Sequence, residues 1–580
     1  MATRARTSRQ SEAKHDYIVL KKFKTINTQP SRTALEEQDF AWLENLMPIG
    51  DAYAPAVPAP DTATATLSGT ITRMRQVTID TTDYMFCFTA AGGAQAVNMA
   101  NGAITTVAPT ATFTTATPGP AVDQWKSERA VICDPSAGYF SWDGATLYSP
   151  GSVGTVSVTV GGTGYTGTPT VTFTGGGGSG ATAVAVLADS SVLEVTLVGA
   201  GSGYTAAPAV GFTGGGGSGT TATAYIMPSG QVGSAIATYS GRVWIANDRT
   251  LTYTAPGTWL DFNAANASGS TTISEGFLRQ QIEGLEALDN YLYVFGDSSI
   301  FIIGDLKVTG SITTYSFTNL SSTTGSTLPD TITSLERAIL FMNKYGIYAT
   351  YGASVQKVSQ QLDGVFPFID FTKPISAGLA TIYNILCYVV SFTYDDPNQS
   401  SARTIQAAYF GGKWFLTNQG TINFIAPAQI DGQHFCYGAD GSSGLRKLYQ
   451  DTTASVSTTM KTALMPLSEG PIFDKQVLRA GIEYTAPAET VINIRIDSER
   501  DSDRSISYAT NAVKWLNNDG VVVPWINNTG EEVDWLTSGF VLYQFFTDLV
   551  GKYVGFTLTS DSPQIIINGM LAEYAPRASW

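Results

Sequence analysis

The chain has 580 residues, of which 43% are hydrophobic and only 14% charged, and its formal net charge is −15. That length exceeds one ordinary domain, and the hydrophobic share supports a sizeable core. The acidic balance excludes a protein that grips nucleic acid through a basic face, but not a wall along which DNA slides without adhering.

Charge is sparse against the roughly 25% of an average globular chain. Thr, Gly, Ala, Ser and aromatics take its place, which favours sheets and turns. Residues 1–24 carry seven basic side chains against Glu12 and Asp16 and read as a flexible basic arm suited to an acidic partner surface. Residues 33–46 give the one helix signal. Thr33 with Glu36 fits a capping box, Leu35, Phe40, Trp42, Leu43 and Leu46 supply an apolar side, and Pro48 and Gly50 end it. The Pro- and Ala-rich stretch 52–66 reads as a linker.

From Thr70 onward the pattern is strand after strand. Turn residues alternate with short aromatic and aliphatic runs, as in 83–89 (DYMFCFT), 138–147 (GYFSWDGATL), 241–246 (GRVWIA), 290–295 (NYLYVF) and 412–416 (GKWFL). Each run is followed within a few residues by another, the pattern expected of propeller blades. Residues 161–180 (GGTGYTGTPTVTFTGGGGSG) recur as 200–219 (AGSGYTAAPAVGFTGGGGSG), a doubled unit that interrupts the series as a separate small β-domain. The expected fold class is therefore mainly β: an irregular propeller, an inserted tandem repeat and a C-terminal sandwich-like region. The expected divisions are 1–66 (arm, short helix and linker), 67–153 (first blades), 154–230 (insert), 231–462 (remaining blades) and 463–580 (C-terminal β domain).

Chemical motifs are few. Gly162-x-Gly164-x-x-Gly167 matches a dinucleotide fingerprint as a string, but strand-forming residues follow it where that fingerprint needs a helix N-terminus. The two GGGGSG loops lack the Lys of a phosphate loop. Tyr165 and Tyr204 read either as exposed recognition residues for a docking partner or as rings packed on their own glycine turns. Asp497, Glu499, Asp501 and Asp503 alternate in the chain, which gathers them on one face of an extended segment. They read as a solvated hairpin tip, with a Ca²⁺ site as the sharper alternative. Trp515, Trp525 and Trp535 mark a Trp-rich loop. Cys87, Cys133, Cys387 and Cys436 are scattered, so each is expected to pack in a strand as a small hydrophobe, with neither zinc nor disulfide. Histidine is reduced to His15 and His434, too little for a Ser-His-Asp or Cys-His hydrolase. Ser141-Trp142-Asp143-Gly144 only approaches an Asp-box. No catalytic residue, metal or cofactor is expected. The N-terminus shows no signal-peptide core, and the most apolar window, 379–392, is too short to span a bilayer. Synthesis in a cytoplasm is expected.

Both ends of the chain carry a resemblance. Ile26-Asn27-Thr28, followed by 33–50 (TALEEQDFAWLENLMPIG), resembles the opening of the tail nozzle proteins of short-tailed phages, the tail tubular protein B family, in which an N-T segment leads into a helix ending L-x-N-x-x-P. Residues 550–560 (VGKYVGFTLTS) and 565–574 are similar to that family's closing strands. The doubled Gly-Tyr unit departs from the family's common core. The resemblance implies a structural virion protein, not an enzyme, that forms a homohexamer. The ring would sit below a portal and its adaptor ring and would dock tail fibres or spikes. It would continue and close a conduit through which viral DNA passes, without sequence-specific binding, towards the host envelope. Within it, Asp497, Glu499, Asp501, Asp503 and Trp525 are the candidate gate residues. The rival readings are a receptor-binding fibre or adhesin and a propeller enzyme acting on glycans. A fibre predicts a long repetitive shaft, and an enzyme predicts a carboxylate pair in a cleft.

Overall fold

In six of the four-stranded units along the chain, the first two strands are joined by a two-residue turn whose first residue has positive φ: Asp80, Ser240, Asp289, Glu336, Tyr383 and Asp431. Such turns match the right-handed twist of the strands they join, and short polar residues tolerate the left-handed conformation best. Each opens a four-stranded antiparallel unit in the computed structural model. The model describes residues 15–352, 354–396, 401–441, 443–466, 474–487, 490–500, 506–509, 515–516, 522–523 and 541–577.

These units are the blades of a propeller. Blades 1 to 6 occupy residues 71–108, 121–148, 235–272, 282–321, 333–357 and 376–417, and blade 7 begins at 422. The first strand of each blade lies innermost: Ile71–Ile79, Ala121–Trp125, Ala235–Tyr239, Ile282–Leu288, Thr333–Leu335, Ser376–Ile382 and Ile422–Ile430. Each inner strand neighbours the next, and the seventh neighbours the first, so the ring closes. Blade 7 takes its outermost strand from the other end of the chain, where Ala65–Thr66 pairs antiparallel with Gly444–Lys447. The stretch expected to be a linker is thus the closing strand of the propeller.

Blade 6 does not stop at four strands. Its sheet continues outward through Phe40–Glu44, Thr458–Thr462, Gly555–Ser560, Val491–Asp497 and Ile506–Ala509, nine strands in all. A second sheet of Asp16–Leu20, Ile566–Pro576, Lys475–Thr485 and Val541–Gly551, with Ala54–Pro55 at its side, packs over that extension. Phe40, Leu43, Met460, Ile494 and Leu558 of one sheet share a core with Leu20, Ile482, Met570 and Tyr574 of the other. The sandwich is built from both ends of the chain.

Two expectations for the N-terminus are corrected here. Residues 33–46 are not a helix: Phe40–Glu44 is a strand, preceded by turns, and Glu36 meets Lys24 at 2.7 Å instead of capping anything. Phe40 and Leu43 are fully buried in the middle of the nine-stranded sheet, and pairing on both sides overrides a local helical preference worth only tenths of a kcal/mol per residue. Nor is the arm uniformly free, because Asp16–Leu20 pairs residue for residue with the last strand, Asp16 opposite Tyr574 through Leu20 opposite Met570. The four cysteines are free, buried and set in strands, with burial pushing every thiol up.

Blades 3 and 4 are pinned by a buried cation. Arg242 is 1% exposed and donates to the carbonyls of Thr254 (2.6 Å) and Ala267 (2.8 Å) and to Thr313 Oγ1 (2.8 Å), with the Tyr253 ring beneath it. Its acceptors are neutral, and burial draws its pKa down. Replacing it removes the guanidinium donor from the Thr254 carbonyl and from Thr313 Oγ1, while the Ala267 carbonyl keeps only the Thr313 hydroxyl. Arg242→Met is expected to cost about 3 kcal/mol in denaturant unfolding, whereas a loss under about 0.5 kcal/mol would show that water replaces it freely.

Candidate functional site

The seven inner strands enclose a cavity of about 430 Å³ on the propeller axis. Its charged groups come from strands on opposite sides of the ring. Arg73 of blade 1 reaches across to Asp330, at the entry to blade 5, with Nε 2.6 Å from the carboxylate, and Nη1 donates to the Pro120 carbonyl at 2.8 Å. Arg75, two residues on, places Nη2 at 2.9 Å from Asp123 of blade 2 and 4.0 Å from Glu286 of blade 4. Asp123 also accepts from the Thr238 amide of blade 3 at 2.6 Å. Near one mouth, Gln76 and Gln429 exchange side-chain-to-backbone bonds between blades 1 and 7 at 2.6 and 2.7 Å. Alternation along Ile71–Ile79 sends Met74 into the core shared with blade 7, while Arg73 and Arg75 stand on the opposite face and line the cavity beside Val77 and Ile79, which pack in the core shared with blade 2.

Burial raises the Glu286 carboxyl to about 7. Arg75 opposes that rise and Asp123 adds to it. Arg75 is held in its charged form chiefly by Asp123, and 45% of its side chain still faces the water of the channel. The sequence offered no signal for this network, because its residues are scattered over five blades and converge only when the ring closes. His434 lines the cavity, as do Ser234 and Ser334.

The insert, Val153–Ile226, is a nearly closed six-stranded sheet. The order runs Val153–Thr163, Ser218–Ile226, Ala209–Thr213, Thr170–Thr174, Ser179–Ala188, Ser191–Ser202, and the first and last strands come together. The string Gly162-x-Gly164-x-x-Gly167 joins one strand to the next, with no helix after it. Tyr165 and Tyr204 are 5% and 3% exposed, so neither ring is a docking surface. Each packs on the glycine loop of the other copy, not on its own. A Cβ at Gly217 would stand 2.5 Å from the Tyr165 ring, and one at Gly178 would stand 2.5 Å from Tyr204. The exchange is reciprocal in the backbone as well, Thr166 N–H donating to Gly215 and Thr205 N–H to Gly176. The repeated GGGGSG is therefore a packing requirement, a flat backbone on which a tyrosine lies. Leu197 and Ala200 of the insert pack beside Trp259 and Leu260 of blade 3 and Trp125 and Tyr139 of blade 2, which seats the insert firmly on the propeller.

The candidate gate residues fall apart. Asp497 ends a strand, is 3% exposed and accepts from Arg32 (2.7 Å), Arg495 (2.7 Å) and Thr557 (2.5 Å). Glu499 accepts the Lys552 and Tyr553 amides at 3.0 and 2.9 Å and so closes a turn. Both are structural carboxylates and not members of one exposed acidic face. Asp501, Asp503 and Trp525 lie outside the described residues. Among the described residues no cluster of three or more His, Cys, Asp or Glu side chains fits a metal ion. Asp143 of the Ser-Trp-Asp-Gly string caps its own turn, accepting from Ala145, Thr146 and the Tyr148 hydroxyl.

No family model and no curated protein matches the chain. Several solved structures are similar to it at low likeness. They include Raptor of Chaetomium thermophilum (TM-score 0.32, 9% identity, 68% of this chain and 30% of that one). The N-terminal domain of Nup159 gives TM-score 0.28 and 8% identity over 68% and 95%. The WD40 domain of SCAP from fission yeast gives TM-score 0.27 and 8% identity over 90% and 94%. The chain spans under a third of the length of Raptor.

Burial alone would raise Asp497, but the bonds from Thr557, Arg32 and Arg495 outweigh it and hold the carboxyl below its usual range. A carboxyl depressed by folding stabilises the fold above its unfolded pKa of about 4 and loses that contribution as pH falls through the folded value. Arg32→Met is expected to cost about 3 kcal/mol near neutral pH, and the penalty is expected to shrink in acid. A penalty that is the same at both pH values would mean that Arg32 acts through packing alone.

Proposed function

We propose that this chain is a structural subunit of the tail nozzle of a short-tailed phage, assembled as a ring of six below the portal and its adaptor. The observation that carries the reading is the meeting of the chain's two ends. The stretches that resemble the nozzle family, 26–50 and 550–574, come from opposite termini and lie two strands apart in one sheet, Phe40–Glu44 and Gly555–Ser560 both pairing with Thr458–Thr462. A family likeness confined to both ends is what a sandwich built from both ends would preserve.

Size and charge support a mechanical role. A cavity of about 430 Å³ is in the range of a small-ligand pocket, about 300–1,000 Å³, and ion pairs cross it. No duplex passes through one propeller, so a conduit belongs to the space between subunits. Few charges and a net charge of −15 suit a wall that does not hold phosphates. The insert, seated on blades 2 and 3, contains only Asp189 and Glu194 as charged residues and exposes Leu193, Val198 and Tyr225. It is the part best placed to meet fibres or spikes. The gate is sought elsewhere than at Asp497 and Glu499, whose carboxylates are occupied.

Quantitative mass spectrometry of purified virions tests the assignment. The expected result is half as many copies of this chain as of a twelve-fold portal. A larger multiple of three would indicate a trimeric fibre, and absence from particles would overturn the assignment.

A further inference from the structure

We propose that Arg75 is a proton-controlled strut across the propeller channel, bracing blade 1 against blade 4 through Glu286 when that carboxyl is ionised and resting on Asp123 of blade 2 alone when it is protonated. The inference is independent of the nozzle assignment.

The geometry is that of a cation shared unequally between two acids. Arg75 is bonded to Asp123 at 2.9 Å and stands 4.0 Å from Glu286, near enough for attraction and too far for a hydrogen bond. Asp123 is fixed from behind by the Thr238 amide, so it does not follow the guanidinium. Glu286 keeps only 14% of its side-chain surface, whereas Arg75 keeps 45%. The cation has room to move and the proton a route in. Arg75 of blade 1, Asp123 of blade 2 and Ser334 of blade 5 act on Glu286 directly, and Arg73, Glu283, Asp330 and His434 line the same cavity. Arg73 is already held by Asp330 and Pro120, so Arg75 is the cation left to answer a change at Glu286.

A carboxyl shifted up to about 7 by burial, and further by Asp123, changes charge near neutral pH. Its contribution to stability is complete below its unfolded pKa of about 4.3 and is lost as pH rises through the folded value. The fold is therefore more stable at about pH 5 than at about pH 7, although the bridge to blade 4 is then released, because the Arg75 contact offsets only part of the cost of burying the ionised Glu286 carboxylate.

The full-length chain tests this by denaturant unfolding across that range. In the wild type the unfolding constant is expected to rise by up to about tenfold per pH unit as pH increases within the window. Glu286→Gln is expected to remove that rise, and a variant that keeps the wild-type slope would overturn the proposal. Infrared difference spectra of the folded protein give a second reading: a protonated-carboxyl band present at about pH 5.5, absent at about pH 8.5 and missing in Glu286→Gln. Two neighbours must move the midpoint of that band in opposite directions, Arg75→Met upward and Asp123→Asn downward. A midpoint unmoved by Arg75→Met would overturn the strut even if Glu286 titrates near neutrality.

Discussion

The closure of the ring and its union with the sandwich depend on a segment of some fifty residues near the N-terminus that enters three different sheets. Asp16–Leu20 is an edge of the sandwich, Phe40–Glu44 lies between blade 6 and the sandwich, and Ala65–Thr66 closes blade 7. A propeller is a ring of sheets, and a ring built from one chain needs a closure in which its start and end share a blade. Here that closure is short, two residues, and is reinforced by the strands before it. Glu44 shows the coupling at the level of one side chain. It pairs across the sheet with Leu416 of blade 6 and Thr459 of the sandwich, and it receives the Arg403 guanidinium on both oxygens and the Trp42 indole. A buried carboxylate with all its acceptors used is costly to uncouple.

Closing the ring creates the second feature, the charged axis. Inner strands of successive blades line a narrow space, and arginines two residues apart on one strand meet carboxylates of the neighbouring blade 2, of blade 4 and at the entry to blade 5. The insert solves a different problem by related means. It has almost no charge and a modest core, so each copy supplies the glycine surface on which the other buries its tyrosine. Neither repeat completes its packing alone, which accounts for their occurrence as a pair.

Much of this architecture was legible in the sequence. Period-two runs between turn residues marked the blades, the duplicated string marked the insert, and the strand-forming residues after Gly167 excluded a nucleotide site. What failed did so for a common reason, that long-range pairing is invisible to local reading. Thr33 and Glu36 look like a capping box because nothing nearby reveals that Phe40 and Leu43 have strands waiting on both sides. Residues 52–66 look like a linker because two closing residues carry no pattern. The alternation of Asp497 and Glu499 suggested a solvated hairpin tip because their partners, Arg32 and the 552–553 amides, are remote in sequence. Tyr165 and Tyr204 were open to two readings, docking residues or rings packed on their own glycine turns; both rings are buried, and the exchange between copies was out of reach of either reading. Arg75, Asp123 and Glu286 were unremarkable one by one.

Blade 6 and the sandwich form one cooperative body joined through residues 40–44, with the insert a separate one. Hydrogen exchange followed by mass spectrometry in increasing denaturant measures this directly. The account predicts that amides of Lys413–Thr417, Phe40–Glu44, Thr458–Thr462 and Gly555–Ser560 share one opening free energy, while those of 153–226 open at a different one. Exchange of the sandwich strands in a separate step, with blade 6 still protected, would contradict it.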